Sequence, residues 1–372
     1  MVTTYFDNVN DYFPIFSRSN VEEKIRLYNN TADDLQDPAL SLCFNNMILL
    51  ALLATSRARL AEEIPVSMEL SLLRTFWDNA MGAFKSPLYP TLVNVQALLS
   101  LCLVCQSMCL VKMARSCLQL AQTVCKLMDM QADPLQKQQE PVVDEERIDV
   151  SWCMSILENS ISFPSPGQSF YTLQIPLPVE QPESPAKSHF IANIRLAQIR
   201  ENMRVTLFGS STNGPLGTAT QTLAFGYLDE LQQIQASLGV DVSLANLAFH
   251  ELVTSDLNSA ESLADAQNAV RILITMGSKT IDEVKSHAIL PRLFVTDSLV
   301  ALSALASGVI RDPSRLEDAE LLRSIYHLLQ RMNKVCAEST FSSALEAILG
   351  AVLDFVTAVG RPATSMGVCG WI

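Results

Sequence analysis

This sequence predicts an all-α fold, a large stack of antiparallel helices in which two helical halves share a core. Three observations carry that prediction. Apolar side chains recur at three- and four-residue spacing along most of the chain, the period that gathers them on one face of a helix. Alternation with a period of two, the mark of a half-buried strand, is scarce, and Phe170–Leu177 is the nearest case. The 17 prolines fall between the apolar segments rather than inside them. With 372 residues, 49% of them apolar and 17% charged, there is ample material for a core, and a disordered or fibrous chain is excluded.

In chain order, the first element is aromatic, Tyr5 to Phe16, and the second is the apolar run Leu42–Ala58. Leu98, Leu101, Cys102, Cys105, Met108 and Cys109 then set a helical face, and Met113, Cys117, Leu120, Val124 and Leu127 set the next. Gln131–Arg147, rich in Gln and Glu and holding Pro134 and Pro141, reads as an exposed loop before a helix centred on Trp152. Between Pro164 and Pro185 lie six prolines, so no helix persists there. Gly209–Gly217 is another loop. Leu299, Leu302, Leu305, Ala306 and Val309 mark a late helix, and Leu345, Ile348, Leu349, Val352 and Val356 mark the last. The expected division is a helical half over 1–163, a proline-rich linker over 164–187 and a second helical half over 188–372. Four apolar stretches approach membrane-span length, but each carries polar or charged residues such as Asn45, Gln96, Asp297 or Asp354. They are read as buried helices of a soluble protein.

Charge narrows the function. The net charge is −13, and none of the 26 basic residues is adjacent to another. Affinity for a phosphate backbone rests on clustered Lys and Arg, so no DNA-binding residue is expected in this chain. Nine cysteines without framework spacing, after an opening that lacks a basic and an apolar region, point to reduced thiols in an intracellular compartment.

The sharpest enzyme-like pattern is Asp33-Asp34-Leu35-Gln36-Asp37. On a helix, such a run places carboxylates four residues apart on one face, where they can hold Mg²⁺ bridged to a diphosphate. Asp33, Asp34 and Asp37 are therefore the Mg-binding candidates of an alternative reading, an isoprenoid diphosphate enzyme. Its second metal site is incomplete: Ser255-Asp256-Leu257-Asn258-Ser259 is followed by Leu263 where a glutamate is required. The first run also sits just ahead of Pro38, where acidic side chains simply favour a helix N-terminus. Cys102, Cys105 and Cys109, with Cys117 and Cys125 beyond, do not form paired CxxC units that converge on zinc, and they fit close helix packing. His189, His250, His287 and His327 are scattered. Gly209 and Gly214 open like a phosphate loop, but Pro215 and Leu216 stand where Lys and Ser or Thr belong. No catalytic residue, metal ligand or cofactor site is expected on the leading reading.

Several motifs in sequence resemble one family. Tyr5-Phe6-Asp7-Asn8-Val9-Asn10-Asp11-Tyr12-Phe13-Pro14-Ile15-Phe16, the apolar Leu42–Ala58 segment and Pro90-Thr91-Leu92-Val93-Asn94-Val95-Gln96-Ala97-Leu98-Leu99 come first. Ala114–Met128, the Trp152 helix and Ile194-Arg195-Leu196-Ala197-Gln198-Ile199 follow. Together they resemble the middle homology region of fungal binuclear zinc cluster transcription factors. Around Trp152 the family's Phe, Tyr, Asp and Arg are replaced by Ser151, Ser155, Glu158 and Asn159. The resemblance implies a non-enzymatic, nuclear regulator acting through protein partners of the transcription machinery, a DNA-binding family member or a small-molecule effector, with a homodimer or heterodimer as its assembly and no membrane contact. It implies zinc only in a six-cysteine cluster upstream, followed by a basic linker and a coiled coil. A helical scaffold without a transcriptional role is the remaining alternative.

Overall fold

The computed structural model describes residues 1–30, 37–85, 89–128, 141–162, 188–208, 233, 260–278, 298–335 and 340–360. Twelve helices run through them, and no strand occurs among the described residues. They are α1 (Val2–Asn8), α2 (Arg18–Asn30), α3 (Pro38–Ala61), α4 (Ser67–Phe84), α5 (Leu92–Ser107), α6 (Val111–Leu127), α7 (Pro141–Ser162), α8 (Ser188–Phe208), α9 (Ala260–Gly277), α10 (Ser298–Arg311), α11 (Leu316–Val335) and α12 (Thr340–Gly360).

Helix α5 is the axis of the first core. Every residue from Asn94 to Ser107 is buried, as a helix that is apolar all round requires. Its neighbours are α3, α6 and α7. Two polar side chains inside this packing are matched: Asn46 Nδ2 donates to Ala97 O at 3.1 Å and to Ser100 Oγ at 3.0 Å. The aromatic N-terminus closes one side. Tyr5 meets Phe6 and Phe16 edge-on with ring centroids 5.3 and 5.9 Å apart, and all three are buried.

Local chemistry sets the helix ends. Thr91 caps α5 by accepting from the Asn94 amide, and Asp37 caps α3 ahead of Pro38 in the first turn. Both α3 and α5 finish in a left-handed residue that is not glycine, Glu63 at φ 60° and Cys109 at φ 57°. In each case two amides bond back to the last turn: Ile64 to Arg59 O and Glu63 to Leu60 O, Leu110 to Cys105 O and Cys109 to Gln106 O. That pairing satisfies the terminal carbonyls and turns the chain back on itself.

The acidic stretch before Trp152 differs from its expected loop. Of Gln131–Arg147, residues 131–140 lie outside the described residues and 141–147 are helical, with Pro141 the first residue of α7. A proline in the first turn sacrifices no helical hydrogen bond. The linker expected over 164–187 lies outside the described residues. Helix α8, on its far side, buries Phe190, Ile194 and Ala197 in the first core and packs on α7.

The second core holds α9 to α12, with Leu273, Leu305, Leu322, Ile325 and Leu349 among its buried residues. Asp318 is buried there between Gln267 Nε2 at 2.7 Å and Arg315 Nε at 3.1 Å, tying α9 to α11. The two cores meet where α3 packs on α11, and Val335 at the end of α11 joins the first core. A small cleft at that junction is lined by Arg57, Leu60, Gly277, Leu328 and Arg331 among others. Arg57, buried, donates to Ser107 O, and Arg331 Nη2 donates to Gly277 O at 3.3 Å. Burial holds the Arg331 guanidinium below its ordinary pKa, against the charge of Glu63.

Among the described residues, two helices are long and apolar enough to cross a bilayer by length and composition, Pro38–Ala61 and Ser342–Val359. They differ in what covers them: 67% of the apolar window is buried in the first but only 28% in the second. The first is core. The second, expected from the sequence to be buried, is covered along one face alone.

Candidate functional site

Four helices of the first core converge on one cleft. Helix α2 supplies Asn20, Val21 and Lys24, and α3 supplies Leu40, Cys43, Phe44 and Met47. Both sets follow the i, i+3, i+4, i+7 rule for a single helical face. Val93 and Gln96 come from α5, Glu146 from α7, and Phe16 from the segment before α2. The cleft encloses about 290 Å³ open to solvent, and its innermost part has room for about one water molecule.

Its polar side is a hub around Glu146. Oε1 accepts from the Ser17 amide at 2.9 Å and from Gln96 Nε2 at 2.9 Å, while Oε2 accepts from Asn20 Nδ2 at 2.8 Å. Gln96 Nε2 also donates to Ile15 O at 2.8 Å. One carboxylate thus ties α7 to α5, α2 and the chain entering α2. The apolar side ends at Cys43, whose thiol donates to Val93 O at 3.7 Å. Burial pushes this thiol's pKa up, with Lys24 pulling the other way and Asp37 and Glu146 adding to the rise. A buried neutral thiol is a poor nucleophile, and both carboxylate oxygens of Glu146 are already engaged by donors. The arrangement is a polar junction that ties four elements together, with Lys24 at its rim and enclosed room for no more than about one water.

Of the three aspartates of the Mg²⁺ reading, Asp33 and Asp34 lie outside the described residues. Asp37 is not on a helical face; its backbone is extended and its Oδ1 accepts from the Ala39 amide at 2.9 Å as the cap of α3. No group of three or more His, Cys, Asp or Glu suited to a metal ion occurs among the described residues. Ser255–Ser259, the Gly209–Gly217 loop, His250 and His287 lie outside them. His189 packs edge-on against Tyr12 with centroids 4.9 Å apart, and His327 lies 3.3 Å from Gln330 Oε1.

The cysteines of α5 and α6 face one another. Hydrogen bonding to Cys117 and then burial raise the pKa of Cys105, and the same bond lowers that of Cys117. Burial raises Cys102 and Cys153. All seven described cysteines are buried. Brief exposure of the native chain to iodoacetamide, read by peptide mass spectrometry, is expected to leave these seven unmodified until denaturant is added.

Sequence reasoning gave none of the hub residues a role. Glu146 stood in a stretch taken for a loop, and Gln96 was noted only as a polar residue within an apolar stretch and a family motif. The only available signal was Gln96 itself, a polar residue in an otherwise apolar helix, which must find a buried partner.

The model of the fungal specific transcription factor domain matches residues 2–196, a span holding α1 to α7, the first nine residues of α8 and the whole cleft. The chain belongs to that family. A curated relative, named Transcription factor sphG, from Aspergillus fumigatus (strain CBS 144.89 / FGSC A1163 / CEA10), is 23% identical over 401 aligned residues, covering 96% of this chain and 54% of the relative. The chain therefore spans about half the length of the curated relative it matches. No solved structure matches. The family match ends inside α8, and α9 to α12 lie beyond it, within the 96% of the chain that aligns with the curated relative.

Proposed function

We propose that this chain is the regulatory region of a transcription regulator, working in the nucleus through protein partners or a small-molecule effector rather than by touching DNA. The observation that carries the reading is the family match over residues 2–196, which takes in the first core except Ala197 and Val335. Charge supports it: a net charge of −13 with no two basic residues adjacent in sequence is poorly suited to a phosphate backbone. DNA reading is then the task of another segment or another polypeptide, which is also where zinc would be bound.

Tethering tests it directly. The chain is fused to an unrelated DNA-binding domain and placed over a reporter in a fungal host. Expression is expected to shift several-fold, up or down, relative to the DNA-binding domain alone. A reporter that stays at the baseline while the fusion is abundant and nuclear would overturn the reading and favour a scaffold without a transcriptional role.

A further inference from the structure

We infer that the outward face of α12 is a self-association surface, on which a second copy of this chain docks its own α12 in antiparallel orientation. The helix is apolar on two sides. Leu345, Leu349, Leu353 and Val356 are buried in the second core. On the outward side Ala344, Ile348, Ala351, Phe355 and Ala358 are exposed, Ile348 at 60% and Phe355 at 43%. These five alternate by four and three residues, the spacing of a coiled-coil seam, with the large side chains on one seam position and alanine on the other. A contiguous apolar stripe of this kind marks an interface rather than a solvated surface.

The pattern also selects the occupant. In an antiparallel pair the two seam positions face each other, so each large side chain of one copy meets an alanine of the other. Ile348 lies opposite Ala351, Phe355 lies opposite Ala344, and the twofold repeats both contacts in reverse. Such a face is self-complementary, as an isologous interface must be. Charge does not oppose it. Asp354 is the one charged residue exposed on α12 among those described, and in this register it lies across from Ala347. A membrane surface fits less well, since a helix lying on lipid carries Lys or Arg on its polar face and α12 has none. A stripe of five residues, three of them alanine, lies near the lower bound for a specific interface, which calls for a reversible, micromolar dimer. This inference does not depend on the regulatory reading, because it concerns helices beyond the family match.

The experiment is sedimentation equilibrium on the full chain from about 1 to about 300 μM, a range that brackets the dissociation constant expected for so small an interface. The wild-type chain is expected to pass from monomer to dimer. Ile348→Glu and, separately, Phe355→Glu are expected to raise the dissociation constant at least about tenfold. Their far-ultraviolet circular dichroism and thermal midpoint should stay unchanged, because both positions already face solvent. A chain monomeric throughout the range overturns the inference and leaves the stripe to a different protein or to lipid. A dimer equally stable in both glutamate variants overturns it too, by placing the contact elsewhere.

Discussion

Replacing Glu146 with alanine is expected to cost the first core about 2–3 kcal/mol, the sum of three hydrogen bonds to a charged acceptor reduced for its partial exposure. The loss falls on several elements together. Ser17, Asn20 and Gln96 each lose an acceptor, and Gln96, 3% exposed, keeps only Ile15 O. Urea unfolding followed by tryptophan fluorescence checks the prediction, since Trp152 is buried in this core. The midpoint should fall with little change in slope, because the surface exposed on unfolding is nearly the same. Glu146→Gln separates charge from shape. It retains one acceptor but turns an amide toward one of the three donors, so its midpoint should lie between alanine and wild type. Equal stability of all three proteins would mean that the hub does not hold α2 and α7 together.

The fold was more legible in the sequence than this hub, and the reason is physical. A helix such as α6 is written in the three-four spacing of its apolar residues, which survives whatever neighbours the chain acquires. Helix ends are less visible. The turns after α3 and α5 use Glu63 and Cys109 at positive φ, where glycine is the usual signal. Tertiary packing stabilises a conformation that the local sequence does not announce. Pro141 misled in the opposite direction, since proline both breaks a helix and begins one. The Glu146 hub joins residues 50, 126 and 129 positions apart. No periodic pattern encodes a long-range polar contact, so only the structure could bring Asn20, Gln96 and Glu146 together. The aspartate run shows the reverse hazard: Asp37 fits a metal motif by spacing, yet its oxygen is engaged at the head of α3.

The position of α8 leads to the second large effect. Phe190→Ala is expected to destabilise the first core by about 3–5 kcal/mol, the usual cost of removing a wholly buried aromatic ring. Phe190 is completely buried, and with Ile194 and Ala197 it belongs to the cluster containing Trp152, Leu98 and Tyr5. Phe190 follows six prolines in sequence, so composition alone assigns it to a second half. Burial assigns it to the first. The tryptophan transition in urea decides between them, since Trp77 and Trp152 both sit in or against the first core; Trp371→Phe removes the third indole. If α8 completes that core, Phe190→Ala lowers the Trp152 midpoint, a chain ending at 208 keeps a cooperative transition, and one ending at 163 loses it. A Phe190→Ala protein whose Trp152 transition is unmoved would instead place α8 with α9 to α12. The energetics favour the first outcome. A chain ending at 163 would leave α7 with an uncovered apolar face where Phe190, Ile194 and Ala197 now pack, and exposing that surface to water removes the burial that holds α7 against α5.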